Sequence, residues 1–135
     1  MTLKKIIYFG PDIEGSTTKK RINSLKDLNF NVNILDSCNF YRLRSSIFKA
    51  LQIRIGIGPI YKKVLSKISK EIVFFEPEYL IIETAFLFNV KTLTKLKIEN
   101  PKLKIIFLTV DSIKNKTFQR PFFLKSLHLY DFVIT

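Results

Sequence analysis

The hydrophobic positions of this chain fall into two patterns that alternate along its length. Ile6-Ile7-Tyr8-Phe9, Tyr79 to Glu83 and Lys104 to Thr109 are short, continuous apolar runs, as expected of central strands covered on both faces. Between them, apolar residues recur three and four apart. Ser16 opens one such segment as an N-cap, with Ile22, Leu25 and Leu28 on one side and Lys19, Lys20, Arg21 and Lys26 on others, and Asn29 closes it. Asn31 to Asp36 alternates polar residues with Val32 and Ile34, which predicts a half-exposed strand at a sheet edge. Phe40, Leu43, Ile47, Phe48 and Leu51 then predict a helix over 39–52, broken by Gly56 and Gly58. Pro59 starts another, with Ile60, Val64, Ile68, Ile72 and Phe75 as its stripe, ending ahead of Pro77. Asn89 caps a helix stitched by Val90, Leu93 and Leu96, a short helix follows over 118–127, and Phe132 to Thr135 reads as a last strand.

That order predicts one α/β domain over residues 1–135. Its expected form is a Rossmann-like three-layer sandwich with a five-stranded parallel sheet joined by right-handed crossovers. With the Asn31 strand at an edge, the expected strand order is 2-1-3-4-5. Ligand sites in such sheets lie beyond the carboxyl ends of the strands. Here those ends are Gly10 to Ser16, Asp36 to Asn39, Glu83 to Phe88 and Thr109 to Asn115.

Composition narrows the class. Hydrophobic residues make up 47% of 135, enough for one core, and 23 Lys and Arg against 11 Asp and Glu give a net charge of +12. Such a balance favours anionic partners, although the charges could equally be solvated helix faces. Cys38 and His128 are single representatives of their types, so neither an intrachain disulfide nor a Cys/His metal cluster can form. The start Met1-Thr2-Leu3-Lys4-Lys5 lacks a signal-type apolar segment, and no apolar run approaches membrane-spanning length. A cytoplasmic location is expected.

The glycine loop has the spacing of a phosphate-binding Walker A loop from Gly10 to Thr17, but Ser16 stands where the lysine is required. Gly10 and Gly15 do not make a dinucleotide fingerprint, and Asp36 at the second strand's end is more readily a turn former than a ribose ligand. A phosphoacceptor receiver would want an acidic pair after strand one and Asp after strand three. Asp12, Glu14 and Glu83 match that poorly. Glu83 and Asp111 both end apolar strands, so each is a candidate to take a proton from a hydroxyl, or else a helix cap or ion-pair member. Lys114, Lys116 and Arg120 could hold phosphate or form a solvated loop. The aromatic and basic residues of 39–75 also suit an interfacial surface, but Ile47, Phe48 and Phe75 fit core packing better. No helix-turn-helix, KH or RRM signature is present.

Three segments carry a family resemblance: Lys5-Ile6-Ile7-Tyr8-Phe9-Gly10-Pro11 with Gly15-Ser16-Thr17, Arg21 and Leu25; Phe107 to Ser112; and the closing Leu127 to Thr135. Together they resemble the N-terminal half of GT-B glycosyltransferases, closest to the CgeB-like, spore-maturation-protein group. The resemblance implies the acceptor-side domain of a metal-independent transferase, inactive alone. Its nucleotide-sugar co-substrate would be bound mainly by a second domain beyond Thr135, with no further cofactor and no metal. Glu83 or Asp111 would activate an acceptor hydroxyl, and Gly10, Gly15, Ser16, Thr17, Lys114 and Arg120 would bind substrate. Implied partners are a glycan or small-molecule acceptor, the nucleotide sugar, the C-terminal domain and a peripheral contact with the inner membrane face. The alternative is a non-catalytic basic module binding nucleic acid or anionic membrane by charge.

Overall fold

The computed structural model describes residues 2–41, 47–109 and 121–135. Its strands are β1 (Lys5–Gly10), β2 (Asn31–Asp36), β3 (Tyr79–Ile82), β4 (Lys104–Leu108) and β5 (Phe132–Ile134). Its helices are α1 (Thr17–Asp27), α2 (Cys38–Tyr41), α3 (Ile47–Ile55), α4 (Pro59–Phe75), α5 (Val90–Glu99) and α6 (Pro121–Ser126), with single 3-10 turns at Ala85–Leu87 and Leu127–Leu129. The starts and stops follow local chemistry. Ser16 accepts from the Lys19 N–H at 3.1 Å to open α1. Asn89 and Thr92 form a reciprocal capping box at α5. Pro59 sits in the first turn of α4, which ends on Glu76 in the left-handed region ahead of Pro77.

All five strands are parallel in the order β2-β1-β3-β4-β5, as the sequence predicts. β2 is an edge strand with Val32 and Ile34 half-buried, and the unbroken runs of β1, β3 and β4 are central. Residues in register share a face of the sheet. On one face Ile34, Tyr8, Ile81, Ile106 and Phe132 form a row, and α1 covers its first part through Ile22 and Leu25. On the other face Ile7, Phe9, Leu80, Ile82, Ile105 and Phe107 pack under α4, α5 and α6 into the larger core. Ile60, Val64, Ile68 and Ile72 are the buried stripe of α4, each contributing about 1.5–3 kcal/mol by leaving water.

The region after β2 departs from expectation. Ile47 and Phe48, expected in the core, are 84% and 76% exposed, and no residue of α3 is fully buried. Phe75, by contrast, is half-buried and packs against the larger core, as expected. The predicted single helix over 39–52 is described at its two ends, α2 and α3. α3 lies against the molecule through half-buried Gln52 and Ile53, with the Gln52 Oε1 accepting from the Ile60 N–H at 2.9 Å. Periodicity predicts an apolar stripe, but which face turns inward depends on how the next helix is placed. Among the described residues, no helix is long and apolar enough to cross a membrane.

Candidate functional site

The carboxyl tips of β1, β2 and β3 meet in one cluster, which follows from the register. Gly10 lies opposite Asp36, and Glu83 follows directly on β3, its N–H donating to the Phe9 carbonyl at 2.9 Å. A Cβ on Gly10 would lie 3.2 Å from the Glu83 Cβ and 3.1 Å from the Tyr8 ring, so the absence of a side chain lets the two tips close up.

Three side chains converge on Glu83. The Tyr8 hydroxyl donates to Oε2 at 2.6 Å, and the Thr18 hydroxyl reaches Oε1 and Oε2 at 2.9 and 3.0 Å. Arg21 Nη1 donates to Oε1 at 3.0 Å. Tyr8 points there because it lies two residues before Gly10 on the α1 face of the sheet, and Thr18 and Arg21 are three apart on one side of α1. The Glu83 side chain is 16% exposed. Burial, reinforced by the hydrogen bond to the Glu83 carboxylate and by its charge, pushes the Tyr8 phenol well above its ordinary range.

The loop after β1 is tied down separately. Asp36 Oδ1 accepts from the Asp12 and Cys38 N–H groups at 3.1 and 3.0 Å, so Asp36 works as a turn former linking two loops. Lys19 Nζ lies 2.9 Å from Asp12 and 3.4 Å from Glu14, and the hydrogen bond to Asp12 holds its ammonium above the usual range. Beneath, the Ser37 and Thr84 hydroxyls share a buried hydrogen bond of 2.7 Å.

Of the candidate site residues, Gly10 and Glu83 are brought into contact. Gly15 is exposed at a φ of +75°, with open space where a Cβ would be. Ser16 spends its hydroxyl on the α1 cap, and Thr17 faces solvent. Asp111, Lys114 and Arg120 lie outside the described residues. The sequence reading missed Tyr8 and Thr18 and left Arg21 on a solvated face. The available signal was register, since Tyr8 falls two residues before the glycine as Ile81 falls two before Glu83. Among the described residues no group of three His, Cys, Asp or Glu side chains is placed to hold a metal ion.

Among solved structures, the chain is similar to the response regulator protein TrrA of Thermotoga maritima, solved in complex with Mg2+-BeF. The match covers 98% of this chain and 86% of that one, with a TM-score of 0.53 at 12% sequence identity. The fold is the receiver fold. No family model and no curated protein matches the chain.

These findings correct the reading drawn from short motifs. The GT-B, CgeB-like glycosyltransferase resemblance is overturned, because nearly the whole chain superposes on a receiver-fold protein and no family model supports the motifs. The segments that carried it are features that parallel α/β sheets share: a strand, a glycine turn, a capped helix and an aromatic last strand. With it fall the acceptor-side transferase function and the glycan and nucleotide-sugar partners. The nucleic-acid and membrane alternative finds no support either. A phosphoacceptor receiver was set aside on sequence because Glu83 and the Asp12-Glu14 loop match its acidic site poorly, yet the five-stranded parallel sheet in the 2-1-3-4-5 order expected from the sequence is the fold of such a domain. The fold tolerates those departures because it rests on buried strands rather than on tip residues.

Proposed function

We propose that the chain is a protein-interaction domain of receiver fold whose acidic strand tips are closed by internal ion pairs, so that it works without accepting a phosphoryl group. One observation carries this reading. Glu83, where a phosphoacceptor receiver is expected to have Asp, has both oxygens engaged by Tyr8, Thr18 and Arg21. Carboxylate attack on phosphorus needs a free oxygen, and a divalent cation needs several free oxygen ligands. The positive charge beside these carboxylates comes instead from Arg21 at Glu83 and from Lys19 at Asp12. Glu83 thereby becomes a latch between sheet and α1. The protein-interaction part of the proposal is supported by Ile47, Phe48 and Leu51, which leave large apolar side chains exposed on α3.

The test is treatment of the folded chain with acetyl phosphate and Mg2+, read by intact mass, and with beryllofluoride and Mg2+, read by thermal melting. Unchanged mass and an unchanged melting temperature are expected. A Mg2+-dependent phosphoryl adduct that disappears in Glu83→Gln overturns the proposal.

A further inference from the structure

We infer that the groove between α4 and α5 is the docking site for an acidic amphipathic helix of a partner protein. The inference rests on the protein-interaction reading above and names its partner and surface. The groove encloses about 790 Å³. Lys62 and Lys70 stand on its α4 wall and Lys91 and Lys95 on its α5 wall, while Ile57 and half-buried Leu65 supply apolar lining. Ile57 is 65% exposed, as an anchor waiting for a partner would be.

Charge identifies the occupant. Residues 37–70, which include α3 and most of α4, hold eight Lys and Arg and no Asp or Glu, against a net charge of +12 for the whole chain. Glu99 is the one acid among the residues lining the groove, and it lies 3.8 Å from Lys95. The ion pairs formed among the described residues engage none of Lys62, Lys70 and Lys91. A second copy of this chain would bring basic against basic, at a cost. The apolar lining argues against a bare polyanion, which would leave Ile57 and Leu65 in water. Two helices side by side offer ridges into which a third helix fits, and α4, at 17 residues, is about 25 Å long. A helix with leucines at i, i+3, i+4 and i+7 and glutamates elsewhere satisfies both features.

The probe is a fluorescein-labelled peptide of about eighteen residues with that pattern, compared with a scrambled peptide of identical composition that lacks the helical period. Anisotropy titrations use the full chain at about 50 and about 200 mM salt. The patterned peptide is expected to bind at both salt concentrations and at least about tenfold tighter than the scramble. The double variant Lys62→Glu/Lys91→Glu is expected to weaken it by about tenfold or more. Lys20→Glu/Lys26→Glu on α1, across the sheet, should change it by less than about twofold. Equal affinity for the scramble, equal loss in the α1 variant, or no binding overturns the inference. If binding fails while phosphoryl uptake is also absent, this inference falls and the interaction reading stands. Mg2+-dependent phosphoryl uptake removes that reading whatever the peptide does.

Discussion

Arg21 and Glu83 sit 3.0 Å apart with side chains 22% and 16% exposed, so the two form a largely buried ion pair. Removing one partner of a pair so placed leaves the second half-buried and unmatched. Arg21→Ala is expected to cost about 1.5–3 kcal/mol in urea unfolding. Adding Glu83→Gln to Arg21→Ala should cost much less than Glu83→Gln costs alone, the coupling that a double-mutant cycle reads. Additive losses would show that the latch carries no shared energy. Tyr130 behaves in the opposite way. Its hydroxyl is buried with no hydrogen-bond partner among the described residues, so Tyr130→Phe should leave stability unchanged or raise it by about 1 kcal/mol. Glu83 was legible in the sequence because it ends an apolar run. Its three partners were not, because they come from residues 62 to 75 positions away.

Caps and breaks are local matters, and at the scale of the element they were read correctly. Ser16 and Asn89 cap the helices they were expected to cap, since an N-cap bonds a backbone N–H only three residues on. Asn89→Ala removes one half of the capping box, together with a 2.9 Å bond to the Gly56 carbonyl. A loss of about 1–2 kcal/mol is expected by thermal or urea unfolding, with the α5 amides showing the largest gain in hydrogen exchange. α3 marks where the element scale fails. Its apolar residues recur at helical spacing, yet Ile47, Phe48, Leu51 and Ile55 face outward. A stripe states only that one side differs from the other.

Protonation belongs to the whole molecule, because its effect on stability depends on the unfolded state as well. Burial raises the phenols of Tyr8 and Tyr130 above the ordinary tyrosine value of 10.0. The unfolded chain therefore loses these protons first as pH rises. Their contribution is complete below about pH 10 and declines above it, by up to about 1.4 kcal/mol per pH unit for each tyrosine. The urea midpoint should hold to about pH 9.5 and fall steeply beyond it, and Tyr130→Phe should flatten that fall. An alkaline slope identical in wild type and variant would contradict the assignment for Tyr130.

By itself the sequence determined the number, kind and order of the strands and most helices, and through them the parallel sheet and its 2-1-3-4-5 arrangement. Strand burial, helix capping and crossover handedness act over a few residues or follow general chain geometry, so local pattern is enough for them. Only the tertiary structure decided that Glu83 meets Tyr8, Thr18 and Arg21, that α3 turns its apolar side outward, and that lysines of α4 and α5 line one groove. Those contacts join residues far apart in the chain. They exist only once buried area has fixed the placement of the helices on the sheet, which cannot be read from the spacing of residues along a line.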